Sequence, residues 1–130
     1  MKILINSFIF LVYILLAFPY QTSSATMILN YEKEMEKEVK RIQIIADKVM
    51  KCESPDGKHN IWGDLNYPHK AYGIAQFQKR TFIWMSKLSG KRHLQWKNKK
   101  DQIELLNWAI EKGYGHYWTC FRVLSKRGLI

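Results

Sequence analysis

A glutamate at the end of a helical pattern is the strongest candidate for chemistry in this chain. Apolar residues recur before it at steps of four and three: Met35, Val39, Ile42, Ala46 and Val49. The next step of four reaches Glu53. Burial and the negative end of the helix dipole both raise the pKa of a carboxyl group, which keeps it protonated for general acid catalysis. The alternative interpretation is a frayed helix end with Glu53 in water.

Further polar candidates lie in the segment that follows Glu53. Asp64, after Gly63, is either a second active-site carboxylate or a turn residue. Gln76 stands between Ala75 and Phe77, so we expect it to be partly buried and to need hydrogen-bond partners. The alternative is a structural glutamine that satisfies backbone groups of the loop. We interpret residues 71–77 as neither a good strand nor a good helix. The glycine inside this segment, Gly73, predicts a close backbone approach or an unusual dihedral angle.

Cys52 and Cys120 are predicted to form a disulfide, since they are the two cysteines of a chain that we expect to be exported. A bond closing a loop of this size stabilises a fold by about 4 kcal/mol in chain-entropy models. It would also hold the C-terminal segment beside Glu53, the next residue after Cys52. The four histidines are scattered, so we predict no metal site and no cofactor.

The N-terminus resembles a secretory leader. A basic start at Lys2 precedes an apolar run over residues 3–20, and small residues end the segment at Ser23 and Ala25. We therefore predict a signal peptide over residues 1–25 and a secreted or periplasmic domain over residues 26–130. The alternative is an uncleaved N-terminal membrane anchor, because the run approaches the length that spans a bilayer.

The strong positive charge indicates an anionic partner. The chain carries a net charge of +10, and removal of the leader, in which Lys2 is the one charged residue, leaves +9. A cell wall or an acidic membrane surface suits an exported basic domain. We expect no nucleic acid, since no base-reading motif is present, no stable membrane insertion after leader cleavage, and a monomer.

The element pattern predicts a small, mainly α domain of four to five helices. Asn30 caps the first helix, and Pro55 and Gly57 form a turn after it. A short irregular segment or β-hairpin follows, within residues 58–68. Later helices are predicted over residues 80–88, between the cap Asn98 and the stop Gly113, and over residues 116–126. The helix after Asn98 has an apolar face that consists of Ile103, Leu105, Leu106, Ala109 and Ile110.

The order of these motifs resembles the transglycosylase SLT domain of the lysozyme-like superfamily. The matching residues are Glu53-Ser54, Gly73-Ile74-Ala75-Gln76 and Thr81 at the start of the next helix, and the resemblance covers roughly residues 40–121. In that family a Glu-Ser pair supplies the catalytic acid, and a Gly-Leu-Met-Gln-like motif lines the glycan cleft. The family's later Ala-Tyr-Asn motif is absent, and residues 113–120 take its place.

The resemblance implies a secreted peptidoglycan-cleaving lytic transglycosylase. Such an enzyme cuts the β-1,4 bond between N-acetylmuramic acid and N-acetylglucosamine with one Glu as acid and base, and leaves a 1,6-anhydro product. Glu53 would take that role, and Ser54 and Gln76 would orient the substrate or Glu53. Aromatic residues that would stack on sugar rings, or belong to the core, are Tyr72, Tyr117 and Trp118.

Three other functions fit the same residues. A lysozyme-type hydrolase would use both Glu53 and Asp64, because most glycosidases pair two carboxylates. A peptidoglycan-binding module would bind the glycan and release no fragments. A cationic protein would act on membranes through charge alone, and its effect would disappear at high salt.

Overall fold

The structure, a computed structural model, describes the backbone of residues 2–63 and 70–130 and the side chains of residues 24–63 and 70–130. The chain divides into two units, Met1–Val39 and Lys40–Ile130. As far as it is described, the first unit is helical and belongs to helix α1, Lys2–Glu53. The helix continues through Asn30, so the predicted cap there is wrong. Cleavage after Ala25 stays a prediction.

The apolar run of the predicted leader lies outside the residues whose side chains are described. In the part of the chain with described side chains, no helix is both long enough and apolar enough to cross a membrane.

The C-terminal part of α1 supplies one side of the core of the second unit. Ile42, Ala46 and Val49 are buried, as the helical period predicts. Met35 and Val39 are 47% and 50% exposed, so the prediction that they share the buried stripe is wrong. The buried part of the stripe begins at Ile42.

The end of α1 follows the prediction from Pro55. The amide of Ser54 still donates to the carbonyl of Met50 at 2.8 Å, and the chain then turns, with Gly57 N–H donating to Ser54 O at 2.9 Å. Proline excludes the residue before it from the helical region, and glycine closes the turn at a φ of +64°. Glu53 is therefore held at the last position of the helix.

A short antiparallel hairpin follows, and Trp62, within the predicted range 58–68, pairs with its first strand through a bridge to Tyr72. Residues 64–68 of that range lie outside the described residues. The strands of the hairpin are β1, Ala71–Tyr72, and β2, Phe77–Gln78, with Ala71 opposite Gln78 and Tyr72 opposite Phe77. The interpretation of residues 71–77 as lacking a strand is therefore wrong at both ends. The turn between the strands needs positive φ at Gly73 (+86°) and at Gln76 (+49°), as the prediction for Gly73 anticipated.

The remaining elements complete a mainly α domain with a short hairpin, which confirms the predicted fold class. Helix α2 is Lys79–Leu88, α3 is Lys99–Glu111, a 3-10 helix is Tyr114–Tyr117, and α4 is Thr119–Lys126. The Asn98 side chain caps α3 by accepting from the amides of Lys100 and Asp101, as predicted. The predicted helix over residues 116–126 is wrong at its start, because Trp118 has an extended backbone between the 3-10 helix and α4.

Gln102 joins three segments inside the core, a role that could not be expected from the sequence alone. It is fully buried on α3. Its Oε1 accepts from the Ala75 amide at 3.2 Å, and its Nε2 donates to the carbonyls of Tyr72 at 3.0 Å and Trp96 at 2.6 Å. A Cβ on Gly73 would come within 2.3 Å of the Gln102 amide, so the hairpin turn packs directly on this side chain.

The apolar residues around Gln102 follow the predicted face of α3 in part. Leu105, Leu106 and Ala109 are buried, whereas Ile103 and Ile110 are half-buried. Gln102 takes a place in the middle of this face because its amide satisfies the backbone of the hairpin and of the loop before α3.

Candidate active site

A cleft of about 440 Å³ opens beside the end of α1. The residues that line it are Glu53, Gly63, Ala71, Gln76, Phe77, Gln78, Thr81, Tyr117, Trp118 and Thr119. It therefore brings together four of the predicted site residues, which are Glu53, Gln76, Tyr117 and Trp118, and also Thr81 of the quoted motif. Its walls come from the hairpin, the start of α2 and the junction that leads into α4.

Glu53 is half-buried in this cleft, and its carboxyl group has a specific partner. The backbone N–H of Cys120, in the first turn of α4, donates to Oε1 of Glu53 at 3.1 Å. Burial raises the pKa of Glu53 above its ordinary value of 4.5, and the Cys120 hydrogen bond and the Arg122 charge oppose that rise without reversing it. The predicted increase in pKa through burial is confirmed.

The disulfide between Cys52 and Cys120 is present, as predicted. The two Cα atoms lie 5.9 Å apart, and the cysteines are separated by 68 positions in the chain. Cys52 precedes Glu53, and Cys120 provides the amide that binds it. The bond therefore holds the carboxyl group and its hydrogen-bond donor in one rigid arrangement.

Arg122 is a site residue that the sequence analysis missed. Its guanidinium donates to the His116 carbonyl at 2.6 Å and to Thr119 Oγ1 at 2.9 Å, which fixes it across the first turn of α4. From there the Arg122 charge favours the ionised form of Glu53 and so opposes part of the rise in the Glu53 pKa that burial causes. Its position two residues after Cys120 was the available signal, because the disulfide places that turn beside Glu53.

Gln76 presents an unused acceptor at the cleft. Its Nε2 donates to the Gly73 carbonyl at 2.7 Å, whereas its buried Oε1 has no hydrogen-bond partner among the described residues. A Cβ on Gly63 would overlap this oxygen, so a larger residue there would displace the end of the Gln76 side chain. Buried polar atoms rarely lack a partner, and one at a cleft can accept from a ligand hydroxyl or amide.

The two aromatic candidates from the junction before α4 differ in exposure. Trp118 is 5% exposed, donates through Nε1 to the Ala75 carbonyl at 2.7 Å and packs edge-on against Phe77. Tyr117 is 51% exposed, and its ring centroid lies 5.5 Å from that of Trp84. Trp118 is thus a core residue at the wall of the cleft, and Tyr117 offers a ring to a ligand.

Ser54 and Tyr72 do not line the cleft. Ser54 is fully buried, and its hydroxyl donates to the Lys58 carbonyl at 2.9 Å, which supports the turn after α1. Tyr72 is buried as well, and its hydroxyl donates to Asn60 Oδ1 at 3.1 Å. Asp64 lies outside the described residues.

The described cleft suits proton transfer by one carboxyl group. Of the described residues that line it, Glu53 alone has a carboxyl group, and its pKa is raised. No cluster of three His, Cys, Asp or Glu side chains able to hold a metal ion occurs among the described residues. Comparison with known proteins finds no matching family model, no matching curated protein and no matching solved structure.

Proposed function

We propose that this protein is a secreted lytic transglycosylase of the lysozyme-like kind that cleaves peptidoglycan with Glu53 as acid and base. The observation that carries the proposal is the half-buried Glu53 carboxyl group with a raised pKa, beside a cleft that also holds Gln76 and Tyr117. A raised pKa increases the protonated fraction of a carboxyl group at a given pH, and the protonated form is the one that can give a proton to a leaving oxygen.

In the proposed reaction, Glu53 gives its proton to the glycosidic oxygen as the bond from C1 of N-acetylmuramic acid to that oxygen breaks. The resulting carboxylate then removes the proton from the C6 hydroxyl of the same sugar as that oxygen attacks C1. The proton is returned to Glu53, and a 1,6-anhydro ring closes without water. The scheme needs one carboxyl group, whereas hydrolysis usually needs a second one as base or nucleophile.

The other groups of the cleft fit a glycan. Gln76 Oε1, which has no hydrogen-bond partner among the described residues, suits an N-acetyl amide or a sugar hydroxyl. The exposed ring of Tyr117, supported by Trp84, suits the apolar face of a sugar. Disulfides persist in oxidising compartments, and the net charge of +9 that remains after leader removal suits an anionic wall.

Product analysis tests this proposal. Purified peptidoglycan is incubated with the protein, and the soluble fragments are separated and weighed by mass spectrometry. We expect fragments that are one water lighter than hydrolysed ones. Fragments with a reducing end would identify a hydrolase and would implicate Asp64. Saturable binding to peptidoglycan without release of fragments would identify a binding module, and either result would overturn the proposal.

A further inference from the structure

A second cavity, here called the basic groove, lies between one face of α2 and the loop before α3. Its volume is about 290 Å³, close to the lower limit of roughly 300 Å³ for small-molecule sites. On α2, Lys79, Ile83 and Ser86 line it at steps of four and three, which is one helical face. From the loop, Arg92 and Leu94 line it at alternate positions. No residue of the groove lines the cleft beside α1.

The walls of the basic groove are mostly apolar. Phe82 and Leu94 are 1% and 8% exposed and form part of the core, while Ile83 is exposed. The Trp96 ring adds a further apolar surface, since its N–H already donates to the Phe77 carbonyl at 2.8 Å. Water gains few hydrogen bonds here, so an apolar group that displaced it would be stabilised.

Three cationic side chains also line the basic groove. Lys79, Lys87 and Arg92 are all exposed and all line the groove. Among the described residues, neither Lys87 nor Arg92 forms an ion pair, whereas Lys91 between them in the chain pairs with Glu104. The groove therefore combines an apolar interior with positive charge that has no anionic partner in the described part of the chain.

Ser86 provides an independent indication of a ligand. The residue is 5% exposed and lines the groove, and its Oγ has no hydrogen-bond partner among the described residues. Buried hydroxyl groups without a partner are rare, because the lost hydration is not replaced. A ligand with a polar atom at this wall would satisfy the hydroxyl.

We propose that the basic groove binds a free anionic amphiphile with a single alkyl chain, such as an alkyl phosphate or a fatty acid. The chain lies against Phe82, Ile83 and Leu94. The acidic oxygens pair with Lys87 and Arg92 and accept from the Ser86 hydroxyl. The proposal is independent of the reaction assigned to Glu53, because the two cavities share no lining residue.

The test is a titration of the full chain with decyl phosphate below its micelle concentration, followed by calorimetry and by NMR of the Trp96 indole N–H. We expect saturable binding of one molecule, a shift of the Trp96 signal, and weaker binding at high salt. Decyl maltoside, which has the same chain and no charge, is expected to bind at least about fivefold more weakly.

Variants locate the site. The double variant Lys87→Gln/Arg92→Gln is expected to lose about fivefold or more in affinity, because two exposed charges no longer pair with the head group. The control Lys100→Gln/Lys126→Gln removes two exposed lysines elsewhere and is expected to change affinity less than about twofold. Ser86→Ala is expected to weaken binding several-fold. Melting curves confirm that each variant is folded.

Several results would overturn the proposal. These are no saturable binding, equal binding of the maltoside, or equal losses in the two double variants. Unchanged affinity in Ser86→Ala would contradict the role of the hydroxyl. Association with vesicles of anionic phospholipid, without binding of monomeric decyl phosphate, would indicate a membrane surface as the partner in place of a free amphiphile.

Discussion

Cys120 contacts the end of α1 in two ways: its backbone N–H donates to Oε1 of Glu53 at 3.1 Å, and its sulfur is bonded to Cys52. A covalent bond therefore holds the donor of this hydrogen bond one residue away from the acceptor. The first turn of α4 orients the Glu53 carboxyl group, which forms no ion pair with another of the described residues. Orientation and a raised pKa thus coexist at the same side chain.

The disulfide should account for a large part of the stability of the second unit. We expect Cys52→Ala/Cys120→Ala to lower the free energy of unfolding by about 4 kcal/mol, and the melting temperature by about 10 °C or more. Reductant should lower the melting temperature of the wild type similarly and leave that of the double variant unchanged. Two free thiols in the untreated protein, measured by non-reducing mass analysis, would contradict this account.

The stability contribution of Glu53 should depend on pH in a defined direction. Its pKa is higher in the folded chain than its ordinary value, mainly because of burial. The folded state therefore binds the Glu53 proton more tightly than the unfolded state does. The resulting contribution to the free energy of unfolding is fully present below the ordinary pKa of 4.5. It is lost as the pH rises through the pKa of Glu53 in the folded state.

Glu53→Gln, which is neutral at every pH, should therefore melt at a higher temperature than the wild type at about pH 8, and this difference should shrink toward about pH 4. Melting curves across this range measure it. Asp56→Asn, which removes an exposed carboxylate nearby together with its ion pair to Lys58 at 3.3 Å, is the control for the loss of one negative charge at this turn. A difference in melting temperature that is constant, or that grows toward acid pH, would be inconsistent with a raised pKa.

Substitutions at Tyr117 and Trp118 should affect different properties, ligand affinity at Tyr117 and stability at Trp118. Tyr117→Ala removes a half-exposed ring, so we expect the melting temperature to change little and the affinity for soluble peptidoglycan fragments to fall by about tenfold. Trp118→Phe leaves the Ala75 carbonyl without its donor and should cost about 1–3 kcal/mol of stability. Calorimetry and denaturant unfolding measure the two effects. Unchanged affinity in Tyr117→Ala together with weaker binding by a stably folded Trp118→Phe would exclude Tyr117 as the stacking residue.

Gln102 should be among the most sensitive positions of the core. Gln102→Leu keeps a similar size but leaves the Ala75 amide and the carbonyls of Tyr72 and Trp96 without their partners. We expect a loss of about 3 kcal/mol or more in the free energy of unfolding, measured with urea. Gln95→Leu, at an exposed position, is the matched control. A loss under about 1 kcal/mol would mean that water replaces these hydrogen bonds.

The sequence predicted the position of Glu53 well, because local rules decide it. The helical period places Glu53 on the inner face, Pro55 ends the helix, and the two cysteines identify the segment that lies beside it. Asn98 was predicted as a cap for the same reason, since a cap depends on neighbouring backbone groups alone.

Features that depend on distant segments were missed. Gln102 resembles a surface residue of α3 until the hairpin turn and the Trp96 carbonyl are placed around it. Ser54 was expected to orient the substrate or Glu53, but its hydroxyl donates to the Lys58 carbonyl. The apolar period alone did not show that the buried stripe of α1 begins at Ile42 rather than at Met35.

The most direct test of the central claim compares the wild type with Glu53→Gln on purified peptidoglycan, by the rate at which soluble fragments are released. Glutamine keeps the size and the Cys120 contact but cannot give a proton, so the account predicts a loss of at least about 100-fold, with the fold retained. Asp56→Asn should keep full activity. Fragment release by Glu53→Gln at the rate of the wild type would show that Glu53 is not the catalytic acid.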